Sequence, residues 1–298
     1  MLHKETVELS TFALLEKLQD LPILHDFHLV GGTAYTMNPD DVRAVISEKT
    51  KAIIPVHLYG QCANMEAILE ITKNTEITVI EDTAQALGAD YIFSNGNKKK
   101  AGTIGKIGTT SFFPSKNLGC YGDGGAILTR DSQLAERIKM ISDHGQQVKF
   151  QHELVGVNSR LDNIQAAVMT VKLPHLDEYI AARQQAAKFY DEHLGELEQI
   201  DLPERAAYSS HSFHQYTIRV KDNHRDELQE FLASHGVPTC IYYPKPVHLQ
   251  GGYLYFGKNR ENLPVTEKLM GSILSLPMHT ELTEGQQGYI CDNIKEFY

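Results

Sequence analysis

Apolar positions recur in two rhythms between residues 52 and 142. Short runs of β-formers, Ala52–Leu58, Ile77–Ile80, Thr109–Phe113 and Ala126–Thr129, predict strands, the first interrupted by Pro55. Between them the spacing changes to that of a helix. Met65, Ile68, Leu69 and Ile71 predict a helix over Asn64–Lys73, and Leu134, Ile138 and Ile141 one over Ser132–Ser142. This β-α-β alternation predicts a largely parallel sheet with right-handed crossovers. Asn38-Pro39-Asp40-Asp41 has the chemistry of a helix start, with acids in the first turn. Asn95–Lys100 is expected to be a solvated hairpin tip.

The second half has a different grain. Leu161, Ile164, Val168 and Val171 predict a helix over Arg160–Leu173, with a boundary at Pro174 and another helix over His175–Leu194. An α+β lobe is expected to follow: strand Phe213–Val220, helix Arg225–His235, strand Pro238–Tyr243, helix Val265–Ile273 and helix Glu284–Phe297. Residues 1–34 stand apart, with an amphipathic helix predicted over Thr6–Leu21, a stop at Pro22, and an apolar stretch from Phe27 into Gly31-Gly32-Thr33. The expected organisation is 1–34 as a foreign head, 35–174 as an incomplete large domain and 175–298 as a linking helix with a small domain.

At 298 residues the chain can bury a sizeable core. A net charge of −10 argues against nucleic acid as the main partner, because phosphate binding wants a basic face. Cys62, Cys120, Cys240 and Cys291 are far apart and form no Cys-x-x-Cys, which suggests reduced thiols in a cytoplasmic protein. No secretory leader and no long apolar run is visible, so no membrane span is expected. The histidines show no metal-ligand spacing, and Gly102–Lys106 is too short for a phosphate-binding P-loop.

Two stretches carry chemistry. In Thr109-Thr110-Ser111-Phe112-Phe113-Pro114-Ser115-Lys116 a strand stops at a proline and presents a lysine, before the glycine-rich turn Gly119–Gly125. A desolvated lysine on a stiff loop is suited to bond with a carbonyl. In Ile77–Ala86 four β-formers end in Glu81-Asp82, which puts Asp82 at the carboxyl end of a strand, where open α/β sheets place ligands. A carboxylate there needs a cation or serves as a helix cap. Lysine plus aspartate is what a protein contributes to pyridoxal phosphate, Asp82 meeting the protonated ring nitrogen.

The segments EDTAQALGA, SFFPSKNLGCYGDGGA, AIIPVHLYGQ and VGVNSRLDNIQAAV, in that family's order, resemble the DegT/DnrJ/EryC1/StrS sugar-nucleotide aminotransferases from about Ala34 to Tyr298. The resemblance implies an α/β fold, the aspartate-aminotransferase-like fold type I of pyridoxal-phosphate enzymes, with a mostly parallel large domain and a smaller α+β C-terminal domain. The family's usual N-terminal portion is expected to be missing. Pyridoxal 5'-phosphate is the implied cofactor, with Lys116 joined to it and shuttling the proton. Asp82, Gln85, Ser111 and Asn158 are implied cofactor-binding residues, Asn158 reaching the phosphate of a neighbouring subunit in a homodimer and otherwise capping a helix at Arg160. His248 is implied on the nucleotide-sugar side. The implied partners are a keto-sugar nucleotide, aminated at its 3-position, and an amino-acid donor, glutamate. The alternatives are a catalytically inactive remnant and a non-enzymatic regulatory protein. Residues 1–34 also resemble the opening of AbiEii-type nucleotidyltransferases, but no Asp-x-Asp pair follows the glycines, which argues against that activity.

Overall fold

The computed structural model describes residues 35–253 and 263–298. The helix and apolar stretch expected within residues 1–34 lie outside the described residues. Among those described, no helix is long and apolar enough to cross a membrane.

The chain enters a short helix α1 (Pro39–Val45), capped by Asn38, whose side chain accepts from the Asp40 N–H. Strand β1 (Ala52–Ile53) is much shorter than expected. Pro55 can donate nothing to a ladder. Beyond it only Val56 pairs, in an isolated bridge to Asp82, and Leu58–Gly60 forms one turn of 3-10 helix. Helix α2 (Met65–Thr72) is capped by Asn64 and buries Met65 and Ile68. Strand β2 (Thr78–Asp82) continues through the acidic pair.

A hairpin follows, β3 (Asp90–Ile92) with β4 (Lys98–Lys100), so the lysine run is an exposed strand beyond the tip. Strand β5 (Ile107–Ser111) lies parallel to β2, with Asp82 opposite Thr109. Strand β6 (Gly125–Leu128) lies antiparallel to β5. The sheet order is β1-β2-β5-β6: two parallel pairs and one antiparallel.

Helix α3 (Ser132–Ser142) forms where its periodicity places it, with Asp131 as its cap, yet none of its residues is buried. Strands β7 (Gln146–Val148) and β8 (Gln151–His152) make a small ribbon. Helix α4 (Asn163–Lys172) begins later than expected, behind Asp162. Pro174 sits in a 3-10 turn before the long helix α5 (Leu176–Leu194).

The C-terminal part has its own antiparallel sheet, β11-β10-β9, from β9 (Ile200–Asp201), β10 (Tyr216–Val220) and β11 (Ile273–Leu276). Helices α6 (Arg225–Ser234), α7 (Pro264–Met270) and α8 (Glu284–Phe297) complete it. Two expectations fail here. Pro238–Tyr243 is not a strand, since only Cys240 bridges to Ser275. Ile273 belongs to β11 rather than to a helix, because the helix ends at Met270 with Gly271 at its C-cap and every residue of β11 is buried.

Among the described residues there are two principal apolar cores. One gathers Val42, Met65, Ile68, Val79 and Tyr91 under the larger sheet. The other joins α5, β10, α6, β11 and α8 through Tyr190, Tyr216, Ile218, Leu228, Leu274 and Ile294. Leu274 is fully buried in that second core. Leu274→Ala should therefore lower stability to denaturant by about 2–5 kcal/mol, through lost burial and the cavity left behind.

Candidate functional site

Strand alternation separates the two acids of β2. Val79 and Glu81 are buried, while Thr78, Ile80 and Asp82 face the other side and are only part-buried. Glu81 is fully enclosed and its carboxylate is fully engaged. Oε1 accepts from the Ile104 and Gly105 N–H groups at 2.6 and 2.7 Å; Oε2 accepts from the Gly102 N–H at 2.8 Å and meets His57 Nε2 at 3.0 Å. His57 Nδ1 accepts from the Ala63 N–H, so the ring proton sits on Nε2 and is donated to Glu81. Burial acts to raise the Glu81 pKa, but His57 and the backbone donors outweigh it and hold the carboxyl below its ordinary 4.5.

This anchored strand end presents Asp82. Its backbone is held by the Pro55 carbonyl and the His57 N–H, and its Oδ1 accepts from the Ala84 N–H at 3.0 Å. Register puts Thr109 beside it, and Ser111, two residues on, shares that face of the sheet. The Ser111 hydroxyl oxygen accepts from the Phe113 N–H at 3.2 Å, leaving its own proton to donate.

The chain then turns back. Lys116 N–H bonds to the Phe113 carbonyl, and Cys120 N–H to that of Phe112. Gly119 is required there: a Cβ would stand 2.3 Å from the Pro114 carbonyl oxygen. The turn brings the Lys116 amine, half-buried, into electrostatic reach of Asp82. Desolvation pulls its pKa below the usual lysine value, against the opposing pull of Asp82.

Gln85 spans the site from the other side. Its Oε1 accepts from the Tyr59 N–H at 2.7 Å and its Nε2 donates to Tyr243 Oη at 3.1 Å. Tyr59 has a φ of 58° and Gly60 one of 116°. A Cβ on Gly60 would meet the Phe213 nitrogen at 2.6 Å. The segment Ser212–Gln215 lies in that gap, its Ser212 N–H on the Gly60 carbonyl and Gln215 N–H on that of Tyr59. Asn117 Nδ2 donates to the Ser212 carbonyl at 2.9 Å, tying the lysine turn to the same segment.

Lys116, Asp82, Gln85 and Ser111 thus belong to one neighbourhood. Asn158 does not join it within this chain. It is exposed and bridges Asp143, and it caps no helix, because Asp162 holds the N-cap position of α4. His248 gives its Nε2 contact to Glu267 at 3.1 Å. Tyr59, Gly60 and Ser212 carry no site assignment from sequence, although the Leu58-Tyr59-Gly60 turn is a visible signal. Tyr243 lies in the segment ending at His248 that the resemblance places on the nucleotide-sugar side.

A model of the DegT/DnrJ/EryC1/StrS aminotransferase family matches residues 10–295. A "pleiotropic regulatory protein" of Geobacillus stearothermophilus is 48% identical over 268 residues, covering 89% of this chain and 70% of the relative. A UDP-2-acetamido-2-deoxy-3-oxo-D-glucuronate aminotransferase of Pseudomonas aeruginosa is 43% identical over 257 residues, covering 86% of this chain and 68% of the relative. The crystal structure of S. venezuelae DesV with a ketimine intermediate superposes with a TM-score of 0.83 at 38% identity, covering 89% of this chain and 70% of that one.

The Glu81 cluster sets a test of stability against pH. Because its folded pKa is depressed, its contribution is present above the unfolded value and is lost as pH falls through the folded one. Glu81→Gln would set an amide NH2 against backbone N–H groups or the His57 Nε2–H. It should cost about 3–5 kcal/mol at pH 7 in chemical denaturation, and the gap to wild type should narrow below about pH 4.

Proposed function

The chain belongs to the DegT/DnrJ/EryC1/StrS aminotransferase family and is an aminotransferase of amino-sugar biosynthesis; from that premise we propose that it uses pyridoxal 5'-phosphate, held by Lys116 and Asp82, to aminate a keto-sugar nucleotide. The observation that carries this reading is the desolvated Lys116 amine beside the Asp82 carboxylate. The donor set suits the cofactor on three sides. Asp82 offers an anion to the ring nitrogen, Lys116 an amine of lowered basicity to the aldehyde, and Ser111 a free hydroxyl proton to the phosphate.

When bound, pyridoxal phosphate supplies a carbonyl for the amino group and a protonated ring that accepts the electrons of the broken C–H bond. The protein's part is binding, charge and proton transfer. Asp82 keeps the ring nitrogen protonated, and its backbone anchorage fixes where that charge stands. Lys116, once free, takes a proton from the amino carbon of the donor and returns one on the other side. Gln85 reaches the ring oxygen or holds Tyr59 and Tyr243 around it, the latter through contacts already made.

We assign the donor as glutamate and the acceptor as a sugar nucleotide with a keto group at carbon 3. The Pseudomonas relative, a 3-oxo-glucuronate aminotransferase by name, supports that position. His248 and the Tyr242-Tyr243 segment are assigned to the nucleotide-sugar side. The working unit is a homodimer in which Asn158 reaches the phosphate of the partner's site; its exposure beside the outward-facing Val155 and Ile164 favours that role. A second reading, a regulatory protein, is favoured by the name of the Geobacillus relative.

An absorbance titration with pyridoxal phosphate, followed by turnover of a 3-keto-sugar nucleotide with glutamate, decides between them. Wild type should develop a band that Lys116→Ala lacks. Asp82→Asn should keep the band and lose about two to three orders of magnitude in turnover, the effect of leaving one member of a desolvated charge pair alone. Identical spectra for wild type and Lys116→Ala would refute the enzyme reading; a band without turnover would favour the regulatory one.

A further inference from the structure

The turn that presents Lys116 is held at two ends. Asn117 Nδ2 ties the near end to Ser212. The far end, Gly119–Gly122, rests on helix α4. Gln165, Met169 and Lys172 are spaced four and three residues apart, so they share one face of that helix. Met169 packs with Leu118 and Cys120 in a small buried cluster. Gln165 Oε1 accepts from the Tyr121 N–H at 2.7 Å. Lys172 Nζ donates to the Gly119 carbonyl at 2.5 Å and stands 5.3 Å from the centre of the Tyr121 ring.

A lysine in the last turn of a helix is ordinarily accounted for by the helix dipole. Here the side chain reaches away from its own helix. Among the described residues no backbone N–H reaches the Gly119 carbonyl, so the Lys172 ammonium is its partner. The Tyr121 ring adds a cation–π contact to the same ammonium. Gly119 itself closes the turn. A Cβ there would stand 2.3 Å from the Pro114 carbonyl oxygen and 3.0 Å from that of Phe113. Whatever fixes Gly119 therefore fixes the opposite side of the turn, and the Lys116 N–H is bonded to that same Phe113 carbonyl.

We propose that Lys172, with Gln165 on the same face of α4, is a positioning residue for Lys116: its bond to the Gly119 carbonyl fixes the turn, and the turn fixes where the Lys116 amine stands against Asp82. The inference rests on Lys116 being the reactive amine of the proposed function. It is read on that amine before any cofactor is added, so the two fail separately. Identical spectra for wild type and Lys116→Ala would sink the function, while the labelling curves below would still report whether α4 holds the turn.

The test is the pH dependence of Lys116 modification by trinitrobenzenesulfonate. The full chain, freed of bound carbonyl compounds, is labelled across about pH 6–10 and the Lys116 peptide quantified by mass spectrometry. In the wild type burial lowers the Lys116 pKa and Asp82 opposes it, burial being the larger effect. A turn released from α4 admits water to the amine and weakens that larger effect. Lys172→Met, which keeps the stem and removes the donor, should therefore move the midpoint of the rate curve upward by about half a pH unit, a threefold loss of neutral amine below the midpoint. Lys172→Arg, which still donates to the carbonyl and lies over the ring, should restore the midpoint to within about 0.2 of wild type. A folded Lys172→Met that is less stable to denaturant yet keeps the wild-type midpoint makes Lys172 merely structural and overturns the proposal. Should Lys172→Met not fold, Gln165→Ala decides: it should move the midpoint the same way, and an unmoved midpoint overturns the proposal.

Discussion

A single enclosed carboxylate, that of Glu81, sets the frame on which the site is built. An ionised acid with no exposure to water is tolerable only when its oxygens are fully paired. Here the partners come from far-apart parts of the chain: His57 ahead of the first 3-10 turn, and the backbone of Gly102, Ile104 and Gly105 leading into β5. Satisfying one side chain thus brings the end of β2, the approach to β5 and the Tyr59-Gly60 turn to fixed places. Asp82 inherits its position from this anchor. The pleat sends it to the opposite face, where Thr109 and Ser111 of β5 accompany it.

The second constraint is the seam at Ser212–Gln215. It joins the Tyr59-Gly60 turn, the lysine turn through Asn117, and helix α5 through Arg183. Gly60 makes the seam possible because the neighbouring backbone occupies the place of a side chain. A close backbone approach of this kind leaves little freedom to shift one wall of the site without the other.

What was legible in the sequence was the chemistry that single residues announce. A run of β-formers ending in an acid, and a strand ending at proline before a lysine, mark strand ends, and strand ends converge on one edge of a sheet. That is why Asp82 and Lys116, 34 positions apart, could be paired in advance. The role of Glu81 was not legible, since its partners at 57 and 102–105 meet it only in three dimensions. The same limit explains the misplaced elements. Pro238–Tyr243 has the composition of a strand, but only Cys240 finds a ladder partner. Asn158 and Ser159 are good caps, yet the helix starts only at Asn163, with Asp162 at its N-cap position and Asn158 paired with Asp143 instead.

Lys116 shows why these constraints must act together. Burial lowers its basicity, and Asp82 opposes that shift. For the proton-carrying role proposed for Lys116, too much burial would leave an amine unable to hold its proton, and too strong an anion would leave it permanently charged and unreactive. Burial, with the Lys116 and Arg183 charges, holds the His214 imidazole far below its ordinary pKa, so that ring adds no positive charge to the site. The amine is thus set by two opposed influences, its own desolvation and a carboxylate fixed by the Glu81 anchor.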